Sequence, residues 1–213
     1  MAIDAELTNQ LIRARAEVEQ HPIGELSFAT RHDVLRAMGP LLADAEGRHT
    51  IIGPGLRRRT RLAISLVRPV LPLWEAHYPA KHPHRMLELA QDYIDGRCDR
   101  EKLRSEVSAF SGALDTSDTP DKQLAYIAAR AAVSAGFVAE SDELLEPDEG
   151  ITKEELEDPQ DPDHWDCAYW AAGAVSGGMQ WEAGFDPVRH KAFWLWYVDT
   201  AVPAAWSEPD QQA

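Results

Sequence analysis

The sequence predicts an all-α protein, a single domain of about eight helices packed as a bundle or a short helical repeat, spanning 1–213 with an acidic surface loop near 140–162. Three observations predict it. Alanine occurs 31 times, more often than valine, isoleucine and threonine together, which favours helix over sheet. Residues that start and stop helices recur along the chain. No stretch alternates apolar and polar residues over more than a few positions, so no strand is expected. A chain of 213 residues can bury one good core and is short for two.

The elements follow in order. Residues 3–20 carry Ile3, Leu7, Leu11, Ile12 and Val18 near helical spacing and end before His21-Pro22. Thr30 is the candidate cap of a second helix with Val34, Leu35, Met38, Leu41 and Leu42 on its apolar face, which Pro40 should kink or break. Residues 49–55 read as a connection, and Leu56 to Tyr78 as an amphipathic stretch interrupted by Pro69 and Pro72. Pro83 suits the first position of a helix over 83–95 with Gly96 as its stop. Asp99 can cap a helix running to about Leu114, and Thr119-Pro120 opens another through Leu124, Ile127, Ala131 and Val138. Asp163 is the candidate cap of a helix through Trp181, and Asp186-Pro187 opens the last, toward Trp206. AYIAARAAVSAG at 125–136 echoes AYWAAGAVSGG at 168–178, which suits either a repeated helical unit or two Ala-rich buried helices.

Charge is unevenly spread. Lys and Arg number 21 against 36 Asp and Glu, a net charge of −15 that argues against nucleic acid or an anionic membrane as partner. Residues 140–163, ESDELLEPDEGITKEELEDPQDPD, hold 12 of the acidic residues and one lysine, so −11 of that charge falls on them. This run reads as a docking surface for a basic partner, with Asp142, Glu143, Glu146, Asp148, Glu149, Glu154 and Glu155 as the candidate residues. The commoner reading of such a run is a solubilising linker, or a loop pairing with the chain's own arginines. From Gly47 to Trp74 there is no acidic residue, while Arg48, Arg57, Arg58, Arg59, Arg61 and Arg68 supply +6. No phosphate-loop pattern accompanies them, and they are expected on the polar face of a helix, partnered by acidic side chains.

Other chemistry finds less support. His77, His82 and His84 cluster, and His164 lies beside Asp163 and Asp166, which leaves a small metal-dependent hydrolase as the alternative from another class. Cys167 falls inside an apolar helix, where a buried structural thiol is expected, and no serine-nucleophile motif is present. No catalytic residue, metal or cofactor is assigned. Two cysteines make no disulfide framework, the first thirty residues lack signal-peptide character, and the longest nearly apolar run (Leu62 to Trp74) is too short to span a membrane, so a cytoplasmic protein is expected. Six of the seven tryptophans follow residue 160. Trp194 and Trp196 point about 200° apart on a helix, so either the helix is buried on both sides or Trp196 faces a partner.

Two stretches carry a family resemblance. The first is LAISLVRPVLPLWEAHYPAKHPHRMLELAQDYIDG at 62–96, with Pro72-Leu73-Trp74-Glu75, the Tyr78-Pro79 break, and Leu87, Glu88, Leu89 and Ala90. The second is DPDHWDCAYWAAGAVSGG at 161–178. Over about a third of its length the chain resembles the all-helical immunity proteins, family five, of bacterial polymorphic toxin systems. These are packing motifs, and no catalytic residue carries over. The resemblance implies a helical, non-enzymatic protein that binds and blocks a cognate toxin, and the long acidic run is where this chain is expected to depart from its relatives. A helical adaptor without a toxin partner is the remaining alternative.

Overall fold

The computed structural model describes residues 3–43, 51–78, 82–114, 122–142, 145 and 165–207, and the regular elements in them are helical, with no strand. Eight of these helices run ten residues or more. Helix α1 (Ala5–Gln20) starts where the Asp4 carboxylate accepts the Leu7 amide, and it buries Leu7, Ala14 and Val18. Helix α2 (Phe28–Ala37) is capped by Ser27, whose hydroxyl accepts the Thr30 amide, so the cap lies three residues before the expected Thr30. Glu17 of α1 fixes this start by accepting the Ser27 amide at 2.6 Å. The helix ends before Pro40, as a residue preceding proline is pushed out of the helical region.

Pro54 occupies the first turn of α3 (Pro54–Val67), where a missing amide hydrogen costs nothing. Pro69 and Pro72 then divide the amphipathic stretch as expected, into a 3₁₀ turn at 68–70 and the short α4 (Leu71–Glu75). Helix α5 (His82–Ile94) is followed by Gly96 at φ +74°, and α6 (Arg100–Leu114) is preceded by its cap Asp99, which accepts the Lys102 amide. Helix α7 (Gln123–Glu140) follows; Thr119 and Pro120 lie outside the described residues.

The sequence overestimates α8 at its end. It spans Cys167–Ser176, capped by Asp166, and stops at Gly177 rather than running to Trp181. Gly177 sits at φ +81°, and a Cβ there would lie 2.6 Å from the Gly184 carbonyl oxygen, so the chain must turn on glycine. The expected cap Asp163 lies outside the described residues. Asp186 accepts the Val188 and Arg189 amides to start α9 (Pro187–Trp196). One π turn (Tyr197–Ala201) joins it to α10 (Val202–Ser207), with the Val202 amide reaching back to the Tyr197 carbonyl. Pro203 accounts for this: it donates no amide hydrogen and would crowd the carbonyl four residues earlier in a regular helix.

Helix α7 is the centre of the molecule, packed against α3, α4, α5, α6 and α8. Its small residues make that possible. Ala125, Ala128, Ala129, Ala131, Ala132, Ala135 and Ala139 are all fully buried, while Tyr126, Arg130, Ser134, Phe137 and Val138 form a half-buried stripe along the remaining side. Helix α8 is likewise buried around most of its circumference, so the echo between 125–136 and 168–178 marks the two inner helices. The hairpin of α1 and α2 covers one flank and meets α9 and the π turn through α1. Among the described residues no helix is long and apolar enough to cross a membrane.

Candidate partner-binding surface

The arginines of α3 are turned inward. Arg59 is almost completely buried, and its guanidinium donates to both oxygens of Asp142, with distances of 3.1, 2.8 and 2.5 Å. It also donates to the carbonyls of Leu35 and Gly39 at 3.1 and 2.7 Å, at the C-terminal end of α2. Arg58 donates to the Met38 carbonyl and lies 3.6 Å from the centre of the Trp206 ring, while Arg57 donates to the Ile94 carbonyl at the end of α5. Helix ends leave carbonyls unpaired and carry partial negative charge, so cations belong there. The expectation that acidic side chains would partner this cluster holds for Arg59; Arg57 and Arg58 cap helices instead.

Asp142 needs the matching correction. The sequence places it on a carboxylate docking surface; in the structure it is 2% exposed, committed to Arg59, and held at φ +57°. Burial pushes its carboxyl above the usual range, against the opposing pull of Arg59. Glu140, at the head of the run, is also buried and pairs with Arg100 at 2.7 Å. The chain just beyond the far end of the run is anchored in the same manner. Asp166 is buried, accepts the Tyr169 amide at 2.7 Å and takes the Arg31 Nε–H at 2.7 Å. The Arg31 guanidinium lies 5.3 to 5.6 Å from the ring centres of Phe28, Tyr169 and Trp194, near enough for cation–π attraction.

Both anchors line one narrow, mostly apolar cleft of about 30 Å³, together with Leu62, Ala63, Cys167 and Tyr197. The two anchors of the acidic run thus meet at one place against α3. Ten of its twelve carboxylates fall between the anchors. Glu143, Glu146, Asp148, Glu149, Glu154 and Glu155 are among these ten and lie outside the described residues.

An aromatic cluster follows the second anchor. Trp165 stacks on Trp181 with ring centres 5.5 Å apart and meets Trp170 edge-on at 5.1 Å. Trp181 is 46% exposed, an unusual setting for so large an apolar ring. Sequence reasoning did not single it out; its signal was the density of tryptophan beyond residue 160. Trp194 is fully buried, while Trp196, two positions on, is half-buried and packs on Phe193 at 5.7 Å. The helix therefore has one core face and one that is partly open.

Two of the four candidate histidines, and Cys167, have partners in the fold. His84 pairs with Glu75 at 2.8 Å, His82 stacks on Phe110, His77 is exposed, and His164 lies outside the described residues. No three His, Cys, Asp or Glu side chains among the described residues come close enough to hold a metal ion. The Cys167 thiol is buried between the Ala63 and Ala131 carbonyls, and burial pushes its pKa well up, away from the reactive thiolate. Sequence reasoning also missed a buried chain of polar groups, because its members are far apart in sequence: Ser176, His190 and Glu25 are linked at 3.0 and 2.8 Å. The order serine–histidine–carboxylate imitates a hydrolytic triad. However, the serine is wholly buried and its hydroxyl donates to the Ala172 carbonyl, so no substrate reaches it.

Compared with models of protein families, residues 12–204 match that of Immunity protein Imm5. No curated protein matches the chain.

Proposed function

Because the chain belongs to the Imm5 immunity protein family, we propose that it neutralises a cognate toxin by binding it and occluding its active or substrate site, without catalysis. The partner-facing groups are the acidic run beyond Asp142, with Glu143, Glu146, Asp148, Glu149, Glu154 and Glu155, and the half-buried Trp196. One observation supports this above the others. Arg59 and Arg31 pair with the buried Asp142 and Asp166, and ten further carboxylates with a single lysine lie between those two anchors. Charge returned to one region of a molecule steers an oppositely charged partner and selects against the wrong one. Where the toxin is a basic nuclease, these carboxylates stand in for nucleic-acid phosphates.

The test is co-production with the protein encoded beside this one. Growth restored to cells making that protein, with the two co-purifying at equal stoichiometry, supports the proposal. Restored growth without a stable complex supports a catalytic neutraliser instead. No restoration leaves the adaptor reading.

A further inference from the structure

His190 sits where its two nitrogens receive incompatible demands. The Ser176 hydroxyl hydrogen is committed to the Ala172 carbonyl at 2.6 Å, so the Ser176 oxygen faces His190 Nδ1, 3.0 Å away, as an acceptor. Nδ1 therefore carries a hydrogen. Nε2 has two neighbours: Glu25 Oε2 at 2.8 Å, which accepts when ionised, and the Trp194 indole N–H at 3.0 Å, which only donates. A ring nitrogen offers either a hydrogen or a lone pair, so Nε2 satisfies one of them at a time.

The charges around the ring bias that choice. Glu25 comes from the segment before α2, Arg31 from α2 and Asp166 from the cap of α8. Tyr169 and Tyr197, from α8 and the π turn, are kept neutral by burial, and His21 accepts the Glu25 amide through its Nδ1. On the open side of α9, Lys191 is turned away to the Glu19 carbonyl. Two carboxylates against one guanidinium leave the cluster at −1 before His190 is counted. A proton on Nε2 brings it to neutrality.

We propose that His190 is a proton-operated latch that ties Glu25 to α9 when doubly protonated and turns to Trp194 when Nε2 is bare. In the first state the imidazolium donates to Ser176 and Glu25, and Arg31 serves Asp166. In the second, Nε2 accepts the Trp194 indole hydrogen, Glu25 keeps only the Leu26 amide at 3.2 Å, and Arg31, which already feels the Glu25 charge, is shared between Glu25 and Asp166. The latch thereby reaches Asp166, the anchor just beyond the acidic run, but it is a property of the free chain and stands whether or not a toxin is bound.

Nitrogen-detected NMR of the imidazole rings and indole N–H groups of the full chain, from about pH 5 to about pH 8, tests it. Nε2 is expected to lose its hydrogen while Nδ1 keeps its own, and the Trp194 indole proton to move downfield with the same midpoint. In Glu25→Gln, which removes the carboxylate, the midpoint is expected to move to lower pH. A ring holding one protonation state throughout overturns the latch, as does loss of hydrogen from Nδ1. So does an indole signal that stays still while His190 titrates. The wild-type titration decides the matter even where the variant fails to fold.

Discussion

Arg59 and Asp142 are bound to each other and to the fold in unequal measure. Asp142 serves the guanidinium alone, whereas Arg59 also holds the Leu35 and Gly39 carbonyls. Removing one member of a buried pair strands a charge and costs about 3–5 kcal/mol. Arg59→Met is therefore expected to lower stability by about that much in a denaturant titration. Adding Asp142→Asn, which removes the stranded charge and tolerates the left-handed backbone at φ +57°, should recover a large part, the remainder being the two uncapped carbonyls and the buried amide. A double variant no more stable than the single one would show that the pair is not the cause. The buried tyrosines give a second expectation. Burial raises the pKa of Tyr169 and Tyr197 in the folded chain, so the native state keeps their protons where the unfolded chain gives them up. Their contribution is complete below about pH 10, the unfolded value, and is lost as pH rises above it. The urea midpoint should fall above about pH 10, and less steeply in Tyr197→Phe. At this scale the sequence was legible where chemistry is local, as for the buried Cys167 and the caps Asp99 and Asp186. It was not where partners are distant: nothing near Asp142 announces Arg59, and nothing near His190 announces Glu25.

The packing of α6 on α7 is the element-scale feature most open to test. A Cβ on Gly136 would lie 2.5 Å from Val107 Cγ2, so the two helices approach more closely than alanine permits. Gly136→Ala is expected to cost about 1–3 kcal/mol, the usual range for an overpacked core. Val107→Ala in the same chain should return part of it. An unchanged denaturation midpoint for Gly136→Ala would mean that the helices separate freely. Most helices were legible because proline and capping residues act within a turn of where they stand, as at Pro69, Pro72 and Pro187; Pro54 opens α3 inside what the sequence reads as a connection. The end of α8 was not, because apolar residues continue past Ser176. What stops the helix is the left-handed Gly177 pressed against Gly184, a contact seven residues away. The π turn was hidden similarly: Pro203 signals a disturbance, but its form depends on how α9 and α10 both keep their apolar faces inward.

At the scale of the whole molecule, the buried carboxylates of the described residues are paired, and most of the excess negative charge falls in one segment of the sequence. Glu140, Asp142 and Asp166 are neutralised inside the fold by Arg100, Arg59 and Arg31, and the helix ends take up Arg57 and Arg58. The basic stretch thus loses most of its claim to bind anions, and the excess negative charge falls chiefly between the two anchors. Replacing 146–159 by a neutral linker, with Asp142 and the buried Leu145 retained, should slow association with the toxin and flatten its dependence on salt while leaving the fold intact. Unchanged association rates would remove the acidic run from the interface without touching the immunity assignment. Neutralisation by occlusion is tested most directly by titrating the neighbouring gene's toxin with this protein while following the toxin's own activity. Activity should fall linearly and vanish at equimolar protein. Full activity in molar excess, or complete loss at a small fraction of one equivalent, would contradict it.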